Sequence, residues 1–221
     1  MNWITVALPY FLAFVLGAAS SLCIVVLVEW LRKPRLCLAI APPRDQAYPA
    51  GYPASKVRFL EVSLRNKPLP SWLRWMSRSS ASSCRATIDF LKEDGTNIFT
   101  RSMAARWSAS PQPVPLQFRL GDNVAQILDV NRLNMASVID VPPGESESMG
   151  VVGRFDENTD CFGWSNESYF SNPPWRNPDW KLSIGRYLIR ITVRASGEKC
   201  SELFWLINAP QIADVRLEPH A

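Results

Sequence analysis

The chain begins with a run almost empty of polar positions, then breaks into short segments where apolar and polar residues alternate. No charged side chain occurs between residues 1 and 28, and residues 3–28 are almost wholly apolar. A helix over that run reaches roughly 39 Å at about 1.5 Å per residue, beyond the roughly 30 Å hydrocarbon core of a bilayer. The pattern therefore predicts one transmembrane α-helix, tilted to fit. Trp3 and Trp30 bracket it at the two interfaces that amphipathic rings favour. The run lacks a basic start and continues past Ala18-Ala19-Ser20, so the expectation is an uncleaved anchor rather than a leader peptide. Ala13, Gly17 and Ser21 fall four apart on one face of this helix, a spacing of small residues that lets two copies approach and form a homodimer.

Beyond the anchor the period changes to two. Residues 36–40 alternate as a first strand, ended by Ala41-Pro42-Pro43. Residues 48–54 double a Tyr-Pro-Ala unit and read as a surface loop. Residues 57–66 place Leu60, Val62 and Leu64 on one face, and Glu61, Ser63 and Arg65 on the other. Residues 85–91 form another strand, and Glu93-Asp94-Gly95-Thr96 is the expected hairpin turn into Ile98-Phe99. Residues 124–130, 138–141 and 149–155 give further short strands. In residues 182–193, Tyr187, Ile189, Ile191 and Val193 share one face against Arg186 and Arg190. Glu198-Lys199 is expected as the last hairpin and residues 203–207 as the closing strand. Many short strands between turn signals, with no long helix after the anchor, predict a sandwich or barrel. Residues 71–78 are the exception: Trp72 and Trp75 share a helical face beside Met76, suited either to resting on a bilayer or to packing a crossover loop.

Charge adds an orientation. Arg32, Lys33 and Arg35 crowd the C-terminal flank of the apolar run, so the positive-inside rule puts the N-terminus outside and the C-terminal domain in the cytoplasm, at the cell membrane. All 24 basic side chains and 19 of the 20 acidic ones lie beyond residue 30, leaving that part at +5. The flank reads first as a topology signal and second as a contact for anionic headgroups of the lipid bilayer. The divisions expected are an anchor (1–30), a basic flank (31–35), a β-sandwich (36–217) and a tail (218–221). Cys37, Cys84, Cys161 and Cys200 are scattered without CxxC spacing, compatible with either compartment, and Asn166-Glu167-Ser168 is a glycosylation sequon that matters only in a secretory lumen.

Gly185 two residues before Tyr187 resembles the tyrosine corner of immunoglobulin-like sandwiches, in which the Tyr hydroxyl bonds backbone a few residues upstream. The resemblance implies an all-β, immunoglobulin-like antiparallel β-sandwich behind the transmembrane helix. Ser183 stands where an acidic residue is common and Ile189 where antibody domains carry a core cysteine, so the antibody disulfide is not implied. The strand ending at Asn66, the Cys84 segment and Val141-Pro142-Pro143-Gly144-Glu145 also resemble uncharacterised, membrane-tethered prokaryotic sandwich proteins, which supplies a setting and no activity.

The single histidine, His220, stands near the C-terminus, and no GxSxG, Walker A or HExxH pattern occurs, so no catalytic residue is assigned. Asp156, Asn158, Asp160 and Glu167 match four positions of a calcium-loop template, but Cys161 occupies the place of its glycine; the expectation is a solvated acidic turn, with no metal and no cofactor. Residues 168–182 carry Pro173, Pro174 and Pro178 among four aromatic residues. Trp164, Tyr169, Trp175, Arg176 and Trp180 are the candidate ligand-binding residues there, with Phe170 and Asn177 between them; the same rings serve equally as a cap on the core. The expected function is a non-catalytic interaction or sensor domain tethered to the membrane. It would have a protein partner of unknown identity and no nucleic acid. The alternative is an extracytoplasmic adhesin or carbohydrate-binding module of reversed topology, and an enzyme of unknown type is third.

Overall fold

The apolar run forms one helix, α1 (Trp3–Arg32), with no part of its stretch Phe11–Arg32 buried against the rest of the chain. It is long and apolar enough to cross a membrane. The computed structural model describes all residues except 1–2, 48–55, 74, 112, 114–115, 121–122, 128, 136, 172–174 and 221, so the doubled Tyr-Pro-Ala unit, Pro173 and Pro174 lie outside the described residues. After α1 come β1 (Leu36–Ile40), β2 (Arg44–Ala47), β3 (Lys56–Asn66), β4 (Ala81–Leu91), β5 (Met103–Ala104), β6 (Arg106–Trp107), β7 (Leu116–Leu120) and β8 (Asn123–Ile127). A short helix α2 (Val130–Met135) leads to β9 (Ile139–Val141), β10 (Ser146–Phe155), β11 (Cys161–Gly163), β12 (Lys181–Leu182), β13 (Gly185–Ala195), β14 (Glu198–Asn208) and β15 (Arg216–Pro219).

Two antiparallel sheets result. One has the order β1-β3-β10-β11-β12, with β2 beside β3 and β6 beside β10; the other has the order β15-β14-β13-β4-β5, with β9 beside β4. β7 and β8 pair only with each other. Leu60, Val62 and Leu64 meet Ile88, Phe90, Ile189, Ile191 and Val193 in the main core, as the alternation predicts. The chain is thus mostly β, sandwich-like, with one apolar N-terminal helix.

Several local expectations give way to tertiary packing. Ile98 and Phe99 form no strand: Ile98 N donates to Phe90 O at 2.9 Å, Phe99 stacks edgewise on Trp180 at 5.1 Å, and β5 takes the place beside β4. Val130 opens α2 instead of ending a strand. The tight turn of the β13–β14 hairpin is Ser196-Gly197, with Gly197 at φ +78°, so Glu198 and Lys199 already belong to β14. β14 is followed by β15, which pairs with it and places the His220 ring 5.5 Å from Trp205.

The sheet containing β3 is covered on both faces. Val57, Phe59, Phe155 and Phe162 point away from the main core and join Leu133, Trp164 and Tyr169 in a second apolar cluster. At the opposite end, the last turn of α1 is pinned to the sandwich. Asn66, fully buried, accepts from Arg35 N at 3.2 Å and donates to Ser79 O at 3.0 Å and Val141 O at 3.2 Å. Ser79 N and Arg78 Nη1 satisfy the carbonyls of Arg32 and Lys33 at 2.7 and 2.6 Å, groups that a helix end otherwise leaves without partners.

Candidate functional site

The aromatic loop lies where the chain leaves β11 and returns through β12 to β13. Ser165 caps the turn at residues 166–169: its hydroxyl accepts from Glu167 N, and the Ser168 hydroxyl accepts from Ser165 N. Trp164 is 7% exposed, Tyr169 3%, Arg176 8% and Trp180 1%, while Trp175 is half-buried. The Trp164 ring packs against Phe59 at 4.7 Å, Tyr169 at 5.4 Å and Trp175 at 5.4 Å. Trp175 holds φ +70°, a left-handed conformation that a bulky residue adopts only under constraint; its N–H donates to Ser168 O at 2.7 Å.

Arginines complete this layer. Arg176 stacks on Phe155 at 4.4 Å and pairs with Glu157, and Arg106 stacks on Tyr169 at 5.1 Å while bonding Asn166 Oδ1 and Pro111 O, both at 2.8 Å. Burial pushes the Tyr169 hydroxyl above its ordinary pKa, with the Arg106 charge opposing, and burial lowers that of Arg106. Among the five candidates, Trp164, Tyr169 and Trp175 are brought together with Arg176 on the outer face of the first sheet. Trp180 is separate, wedged into the main core beside Phe90 and Phe99.

What remains accessible is a cleft on the loop's outer side. Glu167, Phe170, Ser171, Asn177, Pro178 and Asp179 line a space of about 480 Å³, and Phe170 is 64% exposed. A second space of about 370 Å³, lined by Ile98, Phe99, Thr100, Arg101, Asp179 and Trp180, shares Asp179 with it. Arg101 stands between them. Its guanidinium stacks 5.0 Å above the Trp180 ring, grips Glu167 through two bonds of 3.0 and 2.9 Å, and reaches Asp179 at 3.4 Å. Trp180 Nε1 donates to the same Glu167 carboxylate at 2.9 Å. Glu167 is thus taken up by Arg101 and Trp180, and the rim offers the exposed Asp179 carboxylate beside one exposed ring, a surface suited to a ligand with a donor and an apolar face.

The calcium template disperses. Asp156 accepts from Lys56 N at 3.1 Å, Asp160 pairs with Lys181 at 2.9 Å, Asn158 Nδ2 bonds Glu157, and Glu167 faces Arg101 across the cleft. Asn166, the sequon residue, spends its amide nitrogen on Leu133 O at 2.8 Å. Arg101 and Asp179 were invisible to sequence reasoning, since they join Glu167 and Arg101 respectively across 66 and 78 residues of chain.

On the helix, Ala13, Gly17 and Ser21 are exposed, and Ser21 Oγ donates to Gly17 O at 2.9 Å. Trp3 opens α1; Trp30 is 54% exposed and carries Arg35 over its ring at 5.2 Å. Arg32 and Lys33 face Glu29 and Glu198 at 3.8 and 3.9 Å. No family model, curated protein or solved structure matches the chain.

Proposed function

We propose that this chain is a single-pass membrane protein whose β-sandwich is a non-catalytic interaction module facing the cytoplasm. The observation that carries the reading is the surface of α1. Phe11, Phe14, Leu16, Leu22 and Val26 are each more than 60% exposed, and none of the described residues covers them. Fully burying one such side chain is worth about 1.5–3 kcal/mol, so lipid is the solvent this helix favours. Arg32, Lys33 and Arg35 at its C-terminal flank support the cytoplasmic placement of the sandwich. Alkaline carbonate extraction tests the anchoring, with the chain expected in the membrane pellet. Protease added to sealed, right-side-out vesicles tests the orientation: residues 36–221 are expected to survive, and their digestion would reverse it.

The finer architecture proposed is immunoglobulin-like. Two observations support it: Tyr187 Oη donates to Ser183 O at 2.8 Å, four residues upstream, and the pairings β3–β10 in one sheet and β4–β13–β14 in the other resemble those of that fold. The interaction surface proposed is the cleft beside Phe170 and Asp179. A crosslinker placed at position 170 should capture a partner in cells, and Asp179→Lys should abolish that capture without lowering the melting temperature.

The reversed topology is tested at Cys37 on β1 and Cys200 on β14, both free thiols and both partly accessible. An oxidised Cys37–Cys200 pair in protein isolated with thiols blocked would favour the extracytoplasmic reading.

A further inference from the structure

We infer that the foot of the sandwich is a second membrane contact. It takes the phosphate of an anionic phospholipid headgroup in a cleft beside the end of α1, while Trp72 and Trp75 enter the interface. The inference rests on the membrane anchoring proposed above and adds a site on the folded domain itself.

The cleft, about 400 Å³, is lined by Pro34, Arg35, Leu36, Lys67, Glu198, Lys199 and Cys200. Its three cations arrive from separate segments: Arg35 follows α1, Lys67 follows β3, and Lys199 is the second residue of β14. All three are exposed, and among the described residues none lies within 4.0 Å of a carboxylate oxygen. The one carboxylate of the cleft, Glu198, faces Lys33 at 3.9 Å.

Strand register adds to the imbalance. Arg194 stands directly opposite Arg85 on one side and Lys199 on the other, so three exposed cations form a row across β4, β13 and β14. Like charges in directly opposed positions destabilise a sheet, and an anion laid against the row reverses the sign of that contribution. Among the described residues Arg78, 5% exposed, also has no carboxylate partner, and its Nε has no hydrogen-bond partner. Its contact with Lys33 O caps the helix, whose negative dipole end favours a cation there, so Arg78 builds the foot and the anion falls to Arg35, Lys67 and Lys199.

The aromatic half of the surface is the loop after β3. Trp72 and Trp75 are 74% and 77% exposed, while Leu73 between them is 5% exposed and holds the loop to the domain. The loop starts and finishes beside the C-terminal end of α1: Lys67 N donates to Arg35 O, just past the helix, at 2.8 Å and Ser79 N to Arg32 O, its last residue, at 2.7 Å. Two exposed indoles are thereby held beside the point where the helix leaves the apolar layer, the depth that Trp favours. A bilayer that holds α1 is already at this surface, so the contact is intramolecular in effect and even weak headgroup binding is well populated. In the proposed topology the leaflet it meets is the cytoplasmic one, which carries the anionic lipid.

The test uses the full chain in vesicles of phosphatidylcholine alone or mixed with phosphatidylglycerol, with hydrogen exchange read at residues 67–79 and 196–200. Exchange there should slow in the anionic vesicles. Lys67→Glu with Lys199→Glu should remove that gain by roughly tenfold or more, from the contribution expected per surface cation. Both positions are exposed, and unchanged exchange in β13 certifies that the variant is folded. Trp72→Ser with Trp75→Ser should speed exchange of residues 67–79 in both vesicle types. Equal protection in the two vesicles, or protection that survives the double charge reversal, overturns the inference. Protection reproduced in phosphatidylcholine by inorganic phosphate also overturns it, assigning the cleft to a soluble anion. Loss of the chain to the carbonate supernatant removes the anchoring itself, whereas failure of the exchange result with the chain still in the pellet sinks the headgroup site alone.

Discussion

Gly150, in β10, stands directly beneath the Trp164 ring, and this contact tests whether the aromatic loop is a cap. A methyl group at position 150 would overlap Trp164 Cδ1 and lie 3.2 Å from Cγ and 3.4 Å from Nε1. The ring has no room to retreat, because Phe59, Tyr169 and Trp175 surround it with centroids 4.7, 5.4 and 5.4 Å away. Gly150→Ala should therefore overpack the layer at a cost of about 1–3 kcal/mol. Trp164→Ala removes a ring that is 7% exposed and leaves a cavity, at about 3–5 kcal/mol. In the double variant the new methyl group enters the space the ring vacated, so the cost stays near that of Trp164→Ala alone. The coupling is then about 1–3 kcal/mol, where independent sites would sum to roughly 4–8 kcal/mol. Urea unfolding of the full chain in detergent, followed by near-ultraviolet circular dichroism, reads all four corners of the cycle. Costs that add to within about 0.5 kcal/mol would refute the packing argument and return Trp164 to the set of rings free to meet a ligand.

Four further outcomes follow from other parts of the fold. Asn66→Ala leaves the buried partners of one amide unsatisfied and should cost about 2–4 kcal/mol, with faster exchange of the Arg35 N–H, which bonds Asn66 Oδ1, as the local readout; a loss below about 0.5 kcal/mol denies it that role. Tyr187→Phe keeps the ring and loses only the bond to Ser183 O, so it should cost about 0.5–1.5 kcal/mol in the same unfolding assay, and no change would remove the tyrosine-corner argument. Burial pushes the thiols of Cys161 and Cys84 up to about 12 and about 11 and raises that of partly accessible Cys200, so iodoacetamide should label Cys200 slowly in the folded chain and reach Cys84 and Cys161 only in urea. The hydrogen bond from Arg58 holds the Asp45 carboxyl below its usual range, with burial opposing. Its stabilisation is fully present above the unfolded value of about 4 and fades as pH falls through the lower folded value, so Asp45→Asn should flatten the acid limb of a stability–pH curve.

The strands that sequence reading found best are those with one buried face. β13 alternates because its arginines stay in water while Ile189, Ile191 and Val193 enter the core, and the foot end of β3 alternates from Val62 to Asn66. The second apolar cluster escaped because its signal is split. β3 contributes Val57 and Phe59 to the outer face, and the same face continues with Glu61, which is hidden only because Arg44 pairs with it at 3.0 Å. A polar residue at that position reads as solvent-facing until its partner, from another strand, is known. Ile98 and Phe99 have strand-like composition, yet Ile98 makes a single bond to β4 and the Phe99 ring packs on Trp180 in place of a ladder. The aromatic loop was legible as a feature and ambiguous as a site. Burial of Trp164, Tyr169 and Trp180 separates the rings that pack from Phe170, which does not.

The two ends of the sandwich are organised alike and far apart, and this bears on what each can bind. Asn66 ties the foot to α1. At the other end Asn208, 1% exposed, accepts from Arg154 at 3.1 Å and donates to the carbonyls of Thr159, Leu182 and Ser183, fastening the strand that ends the aromatic loop. β13 runs from one hub to the other: Gly185 pairs with Asn208, and Ser196, just past its last residue, bonds Ser82 near the foot. Its eleven residues span roughly 36 Å at about 3.3 Å each. Buried polar groups with all their partners in place resist bending, since any tilt breaks several bonds at once. In the proposed setting the cleft beside Phe170 and Asp179 is therefore held a full strand length from the bilayer that carries the helix, and lipid is not what reaches it. In that setting the lipid-facing chemistry would belong to the foot, and a ligand of the cleft would come from the aqueous side.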